Sequence, residues 1–221
     1  ASYLGRWDEA MAWGERMLAL AQAIGARRDA ALAHHRMARA AEGRGDVLRA
    51  IRWQDEAAAG LRAVGDRRVE AVALRHLGSL QLGRGDLQAA WQALDQAQAL
   101  QQGLDETIEA LELGAWVALC TLRLGRAADA CAAVDRLLQG LDGEGAGGPA
   151  HETLATRWVC QQVLEALGDA RAAPLLDALH ADVQARATEL TGADDRPRLL
   201  QALPDCRDIV AAWARRGLRP G

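Results

Sequence analysis

The 221-residue chain has no Lys, no Asn and no Phe, and only two Ser, Ser2 and Ser79. With Ser this scarce, no GxSxG elbow exists to present a nucleophile. All 26 basic residues are Arg, and they are outnumbered by 30 acidic ones. The net charge of -4 gives no basic field for nucleic acid. No apolar run approaches the roughly 18 residues needed to span a bilayer, and no signal-peptide pattern opens the sequence. The four cysteines (Cys120, Cys131, Cys160, Cys206) show no CxxC spacing. They read as reduced, buried thiols of a cytoplasmic protein rather than as redox or zinc ligands. The five histidines form neither HExxH nor a His-x-x-x-His pair. Adjacent His34 and His35 would point about 100° apart on a helix and would not chelate one ion together. No cofactor or metal is expected, and nothing assembles a catalytic site. The abundance of Ala and Arg matches a GC-rich bacterial genome.

What the chain does have is a repeat. "GRGDVLRA" begins at Gly43 and "GRGDLQAA" at Gly83. In the same frame lie Gly5-Arg6-Trp7-Asp8-Glu9-Ala10 and Gly125-Arg126-Ala127-Ala128-Asp129-Ala130. Each Gly and each final Ala therefore returns after 40 residues. Halfway between, "GARRDA" from Gly25 matches "GDRRVE" from Gly65, and Asp105-Glu106 stands in the next slot. A further copy at Gly168 arrives three residues late, after the glycine-rich loop over 141–149. Fixed-period recurrence marks structural punctuation. An Arg-Gly-Asp adhesion loop needs a secreted protein, and a phosphate loop needs a preceding strand or a GK[ST] ending, neither of which is present.

Each 40-residue unit reads as two helices. Val72, Leu74, Leu77, Leu80 and Leu82 recur near helical spacing, and Leu87, Ala90, Trp91, Leu94, Ala97 and Leu100 mark a second stripe. Gly85 suits the left-handed residue past a helix end, and Asp86 suits the cap of the next. Helices are expected near 7–24, 27–42, 46–64, 67–83, 86–102, 105–124, 127–140, 150–167, 170–190, 195–203 and 205–216. No strand pattern is sustained. A repeat array is expected over 1–190, with turns near 5, 45, 85, 125 and 168. Capping helices over 191–221 follow, the last carrying a stripe of Ile209, Val210 and Trp213 and the short one before it capped by Asp194-Asp195.

"LRHLGSLQLGRGDLQAAWQALDQAQAL" resembles a tetratricopeptide repeat in a longer, 40-residue variant. Leu77 and Gly78 stand in its Leu-Gly positions, Gly85 and Asp86 at the turn, and Ala90, Leu94 and Ala97 on the second helix. Gln81 replaces the usual aromatic, and no Pro closes the unit. The resemblance implies an all-α, right-handed superhelical solenoid of antiparallel helix pairs. "VLEALGDARAAPLLDALHADVQARATEL" and "RPRLLQALPDCRDIVAAW" resemble the C-terminal end of large bacterial signalling ATPases and transcriptional regulators, with Leu199 and Ala202 departing from the family's Phe and Asn. In such proteins an ATPase domain and a cyclase or DNA-binding output domain precede the repeats.

That frame implies a non-enzymatic interaction or sensor module that binds a protein or peptide in its concave groove. The alternative is a receptor for a small-molecule effector. No nucleic acid and no membrane is expected as a partner. The first helix of each pair lines the concave face in tetratricopeptide repeats. Counting back from each turn Gly places His35, Arg39, Glu42, Arg75, Ser79, Glu112, Leu119, Trp158 and Gln162 there. Arg39 and Arg75 suit a carboxylate on the partner, unless they pair with Glu42 and Glu70 within the groove. The chain starts with Ala, and "SYLG" reads as the end of an earlier helix. The helix from Trp7 would then expose apolar surface around Met11, Trp13 or Met17, with the rest of a larger chain upstream.

Overall fold

In a computed structural model of the chain, residues 5–102, 108–142, 153–192 and 194–217 are described. Among them there are eleven helices and no strand. The chain divides into two compact units, Ala1–Asp105 and Glu106–Gly221. The first contains α1 (Trp7–Ala23), α2 (Arg27–Gly43), α3 (Val47–Ala63), α4 (Arg67–Gly83) and α5 (Leu87–Gln101). The second contains α6 (Ile108–Arg123), α7 (Ala127–Asp142), α8 (Leu154–Leu167), α9 (Ala172–Glu189), α10 (Asp195–Ala202) and α11 (Pro204–Gly217). Ser2 to Leu4, the turn at Asp105-Glu106, most of the 141–149 loop and His151-Glu152 lie outside the described residues.

The period comes from one turn used repeatedly. Helices α1 to α4 are each 17 residues long, and three residues separate them. Gly85 is left-handed at φ 81°. Its N–H donates to the Leu82 carbonyl at 3.0 Å, and the Asp86 N–H donates to the Gln81 carbonyl at 3.0 Å. This pair of bonds is the Schellman closure, which satisfies carbonyls that the end of a helix leaves open. Asp86 then begins the next helix, its carboxylate accepting from the Ala89 N–H at 3.2 Å. Asp46 and Asp66 cap α3 and α4 in the same way. A Gly-Asp dipeptide thus ends one helix and starts another.

Within each unit, every helix packs on its neighbours in sequence. The contacts are close because small residues recur at the crossing points. Ala50, Ala90 and Ala130 fill one repeated slot and are completely buried. At Gly78 an added methyl would run into the Leu94 side chain and come within 3.3 Å of the Ala90 carbonyl. In the second unit the interior joins Leu154 and Trp158 of α8, Leu176, Leu179 and Val183 of α9, Leu199 of α10, and Cys206 and Ile209 of α11. Pro174 lies in the first turn of α9, where no helix hydrogen bond needs its missing N–H.

Several expectations change. Trp213 is 42% exposed, so the buried side of α11 is carried by Ile209 and Ala212. The Trp213 ring instead stacks on His180 at 4.1 Å, and its indole N–H donates to Asp177 at 3.0 Å. Asp194 makes no side-chain cap hydrogen bond; it and Asp195 lie 3.7 Å from Arg198. On α1, Met11 is buried against Met37 and its neighbours, Met17 is half-buried, and Trp13, Leu20 and Ile24 are exposed. All four cysteines are free, three of them buried. Burial pushes the Cys160 thiol up to about 12 and Cys206 up to about 11, so neither is a nucleophile at neutral pH.

Candidate functional site

The sequence-derived site residues fall on the first helix of each pair. His35, Arg39 and Glu42 lie on α2, and Arg75 and Ser79 on α4. Glu112 and Leu119 lie on α6, and Trp158 and Gln162 on α8. The structure joins the first group into one polar cluster. The Arg39 side chain, 47% exposed, lays Nη1 over the His76 ring, 3.0 Å from Nε2 and 3.4 Å from Nδ1. Arg75 reaches Nε2 at 3.1 Å. The His35 and His76 rings lie 5.2 Å apart. Behind them the fully buried Gln54 of α3 donates through Nε2 to His35 Nδ1 at 2.9 Å and to the Ala73 carbonyl at 3.0 Å.

These bonds fix the protonation states. The Arg75 guanidinium can only donate, so His76 Nε2 accepts from it and the ring is neutral, while Arg39 Nη1 lies across the ring, near both of its nitrogens. His35 likewise accepts at Nδ1 from the Gln54 amide. Burial holds His35 down to about 4, with Arg39 and Arg75 adding to it and the Gln54 hydrogen bond opposing it. Burial also holds His76 well below the ordinary imidazole value, reinforced by Arg75, Arg39 and His35. The cluster therefore holds two guanidiniums beside two neutral imidazoles.

The remaining candidates separate. Glu42 lies 3.6 Å from Arg39, as the internal-pairing alternative requires. Glu70 does not pair with Arg75; it is buried and accepts from Arg62 of α3 at 2.7 Å. Ser79 turns its hydroxyl back to the His76 carbonyl at 2.8 Å, which occupies its proton. In the second unit Glu112 and Gln162 are half-buried. Leu119 and Trp158 are 4% and 8% exposed. Trp158 packs among Leu154, Leu176 and Leu179 and is a core residue rather than a groove contact. Arg75, in the repeat slot of Trp158, is 6% exposed, so it too is interior and its guanidinium meets His76 from within the fold.

His76 and Gln54 were not among the sequence-derived candidates. A readable signal existed for Gln54. In the repeat frame it occupies the slot of Gly14, Leu94 and Val134, all interior positions. A Gln in a slot otherwise filled by apolar or small residues needs a buried partner, and here that partner is His35. Among the described residues no group of three or more His, Cys, Asp or Glu could hold a metal ion. No helix among them is long and apolar enough to cross a membrane.

The helix-pair architecture is shared with solved structures at low identity. It is similar to a kinesin-light-chain-type protein of nearly identical TPR-like repeats from Podosopora anserina, with 19% identity, 84% of this chain and 90% of that chain covered, and a TM-score of 0.59. BtubC (BKLC) from P. vanneervenii gives 14% identity, coverage of 98% and 94%, and a TM-score of 0.61. A Rap protein complexed with Competence and Sporulation Factor gives 13% identity and a TM-score of 0.62; the match covers 97% of this chain but only 62% of that one. At these identities the likeness establishes a TPR-like helical repeat. No protein-family model and no curated protein matches the chain.

Proposed function

We propose that this chain is the protein-interaction module of a larger cytoplasmic regulator, without chemistry of its own. It binds a peptide or protein segment along the first-helix face of its repeats. The observation that carries this reading is the meeting of Arg39 and Arg75 at His76, with the Arg39 side chain 47% exposed at the surface of the first unit and Arg75 buried behind it. A TPR-like fold supports it, because a stacked array of helix pairs offers an extended binding surface. That the structurally similar Rap protein is complexed with Competence and Sporulation Factor supports it further. The resemblance of the C-terminal segment to bacterial signalling ATPases supports the regulatory setting.

The test is to pan a random peptide library against the wild-type protein and against Arg39→Glu with Arg75→Gln. Gln is chosen at position 75 because a Glu there would place a carboxylate at a site 6% exposed and unfold the cluster. Acidic peptides should enrich on the wild type, and each should lose at least tenfold in affinity, about 1.4 kcal/mol, on the double variant. Enrichment that is neutral in charge, or unaffected by the substitutions, would move the site elsewhere. In the second reading the same donors hold a small anionic effector. A stoichiometric small-molecule adduct in native mass spectrometry, lost from the double variant, would favour it.

A further inference from the structure

We propose that α1 carries a second docking surface, separate from the first-helix face, for a basic amphipathic helix of a partner protein. On its contact side that helix has two small residues seven positions apart. Trp13, Met17, Leu20 and Ile24 follow one another at steps of four, three and four, which puts them on one side of α1. Trp13, Leu20 and Ile24 are 64, 64 and 70% exposed, three of the seven large apolar side chains left exposed among the described residues. Elsewhere in the first unit the same repeat slots are covered. The slot of Met17 holds Ala57 on α3 and Ala97 on α5, both completely buried. The slot of Trp13 holds the half-buried Trp53 and the buried Ala93, and that of Leu20 holds Gly60 and Leu100, both half-buried. A contiguous apolar stripe on a surface of this kind marks an interaction site.

The protein's own helix pairs show what fits there. The element packed before α3 is α2, and the one before α5 is α4. A methyl on Gly60 would meet Ala31 of α2, and one on Gly78 of α4 would meet Leu94 and approach the Ala90 carbonyl of α5. These contacts set an antiparallel register. One small residue of the covering helix lies at the slot of Leu20, and a second, seven residues later, at the slots of Ala10 and Gly14. α2 supplies Ala31 and Ala38 there, and α4 supplies Ala71 and Gly78, all buried. Charge selects the partner further. α1 carries Asp8, Glu9 and Glu15 against Arg16, a net charge of -2. α2 has four Arg against Asp29 and Glu42, and α4 three Arg against Glu70, so each covering helix is +2. Asp8 and Glu9 lie 3.5 and 3.8 Å from Arg44 and Arg6, loose surface pairs that a partner cation can exchange into. A basic helix is thus steered to α1, whereas a second copy of α1 would set like charge against like. Arg16 lies over the Trp13 ring at 5.4 Å and leaves Leu20 and Ile24 open.

The probe is an acetylated, amidated, fluorophore-labelled peptide with the α4 sequence, Arg67–Gly83, added to the whole chain. Anisotropy should show saturable one-to-one binding. Trp13→Gln with Leu20→Gln should weaken it at least tenfold, and because both side chains stand mostly in solvent the variant should melt like wild type. A second peptide with Ala71→Leu and Gly78→Leu should bind the wild-type protein at least tenfold more weakly, a comparison that needs no protein variant. Raising the salt from about 0.05 M to about 0.5 M should weaken the first peptide several-fold. Hydrogen exchange should slow in α1 when it binds. Slowing in α5 instead would mean that the peptide displaces α4, and overturns the proposal. So do failure of the first peptide to bind, equal binding of the two peptides, and binding indifferent to the α1 substitutions. Self-association of the chain that is lost in the double variant would give the face to a second copy and overturns the partner helix as its occupant.

Discussion

His35 is the residue whose chemistry most constrains this protein in the absence of a ligand. It is neutral when folded because burial disfavours its charged form and the Arg39 and Arg75 guanidiniums stand beside it, against the opposing effect of the Gln54 hydrogen bond. An unfolded chain would bind its proton near pH 6.5, whereas the folded one resists until about 4. The unfolded state therefore carries more protons between those values, and stability falls as the pH drops from 6.5 towards 4. His76 adds in the same direction. Urea denaturation at pH 7 and pH 5 should show a loss on the order of 1–2 kcal/mol from this source. His35→Gln with His76→Gln should remove most of that slope. A wild-type midpoint that does not change between pH 7 and 5 would show that the histidines are already charged in the folded protein.

At the scale of the element, the helices owe their boundaries to the Gly-Asp turn. Gly85→Ala forces a side chain into φ 81°, and Asp86→Ala removes the acceptor for the Ala89 N–H. Left-handed strain costs roughly 1–2 kcal/mol, and loss of an Asp cap about 0.5–2 kcal/mol. A methyl at Gly85 meets nothing within 4 Å, so the first effect is purely conformational. Each variant should lower the melting temperature, and Gly85→Asn should recover part of the loss because Asn tolerates the left-handed region. If Gly85→Ala melts like wild type, the turn is not what sets the period. Legibility was greatest at this scale. The break after α4 could be placed from "GRGD" because a turn and a cap depend on adjacent residues. The boundaries around α7 and α8 were poorer, with α7 running to Asp142 and α8 beginning at Leu154, because no such dipeptide stands between them.

At the scale of the molecule, packing runs from neighbour to neighbour. α10 and α11 close the second unit by laying Leu199, Cys206 and Ile209 over α9 and α8. Ending the chain at Thr191 removes these and uncovers Leu176, Leu179 and Val183. At about 1.5–3 kcal/mol for each large apolar side chain, the loss should reach several kcal/mol. Because repeat arrays couple chiefly through adjacent units, hydrogen exchange should accelerate in α8 and α9 while α2 to α4 keep their protection. Uniform loss of protection along the chain would show that the array folds as a single cooperative unit.

The sequence by itself determined the all-helical architecture, the 40-residue period and the turn chemistry. These depend on contacts no more than five residues apart, so the local pattern carries them. It also selected Arg39 and Arg75, because both count back from a turn glycine. Only tertiary structure decided what those residues do. Whether a first-helix position faces solvent or core depends on which side chains the next helix brings against it. Thus Trp158 sinks among Leu154, Leu176 and Leu179, while Arg39 stays exposed. Glu70 goes to Arg62 instead of Arg75 because α3 delivers a guanidinium to it at 2.7 Å. His76, one residue beyond Arg75, accepts from it and lies under the guanidinium of Arg39, an arginine 36 positions from Arg75 in the chain. A repeat pattern specifies which slots are equivalent; the polar exceptions in those slots acquire their meaning only when neighbouring helices meet.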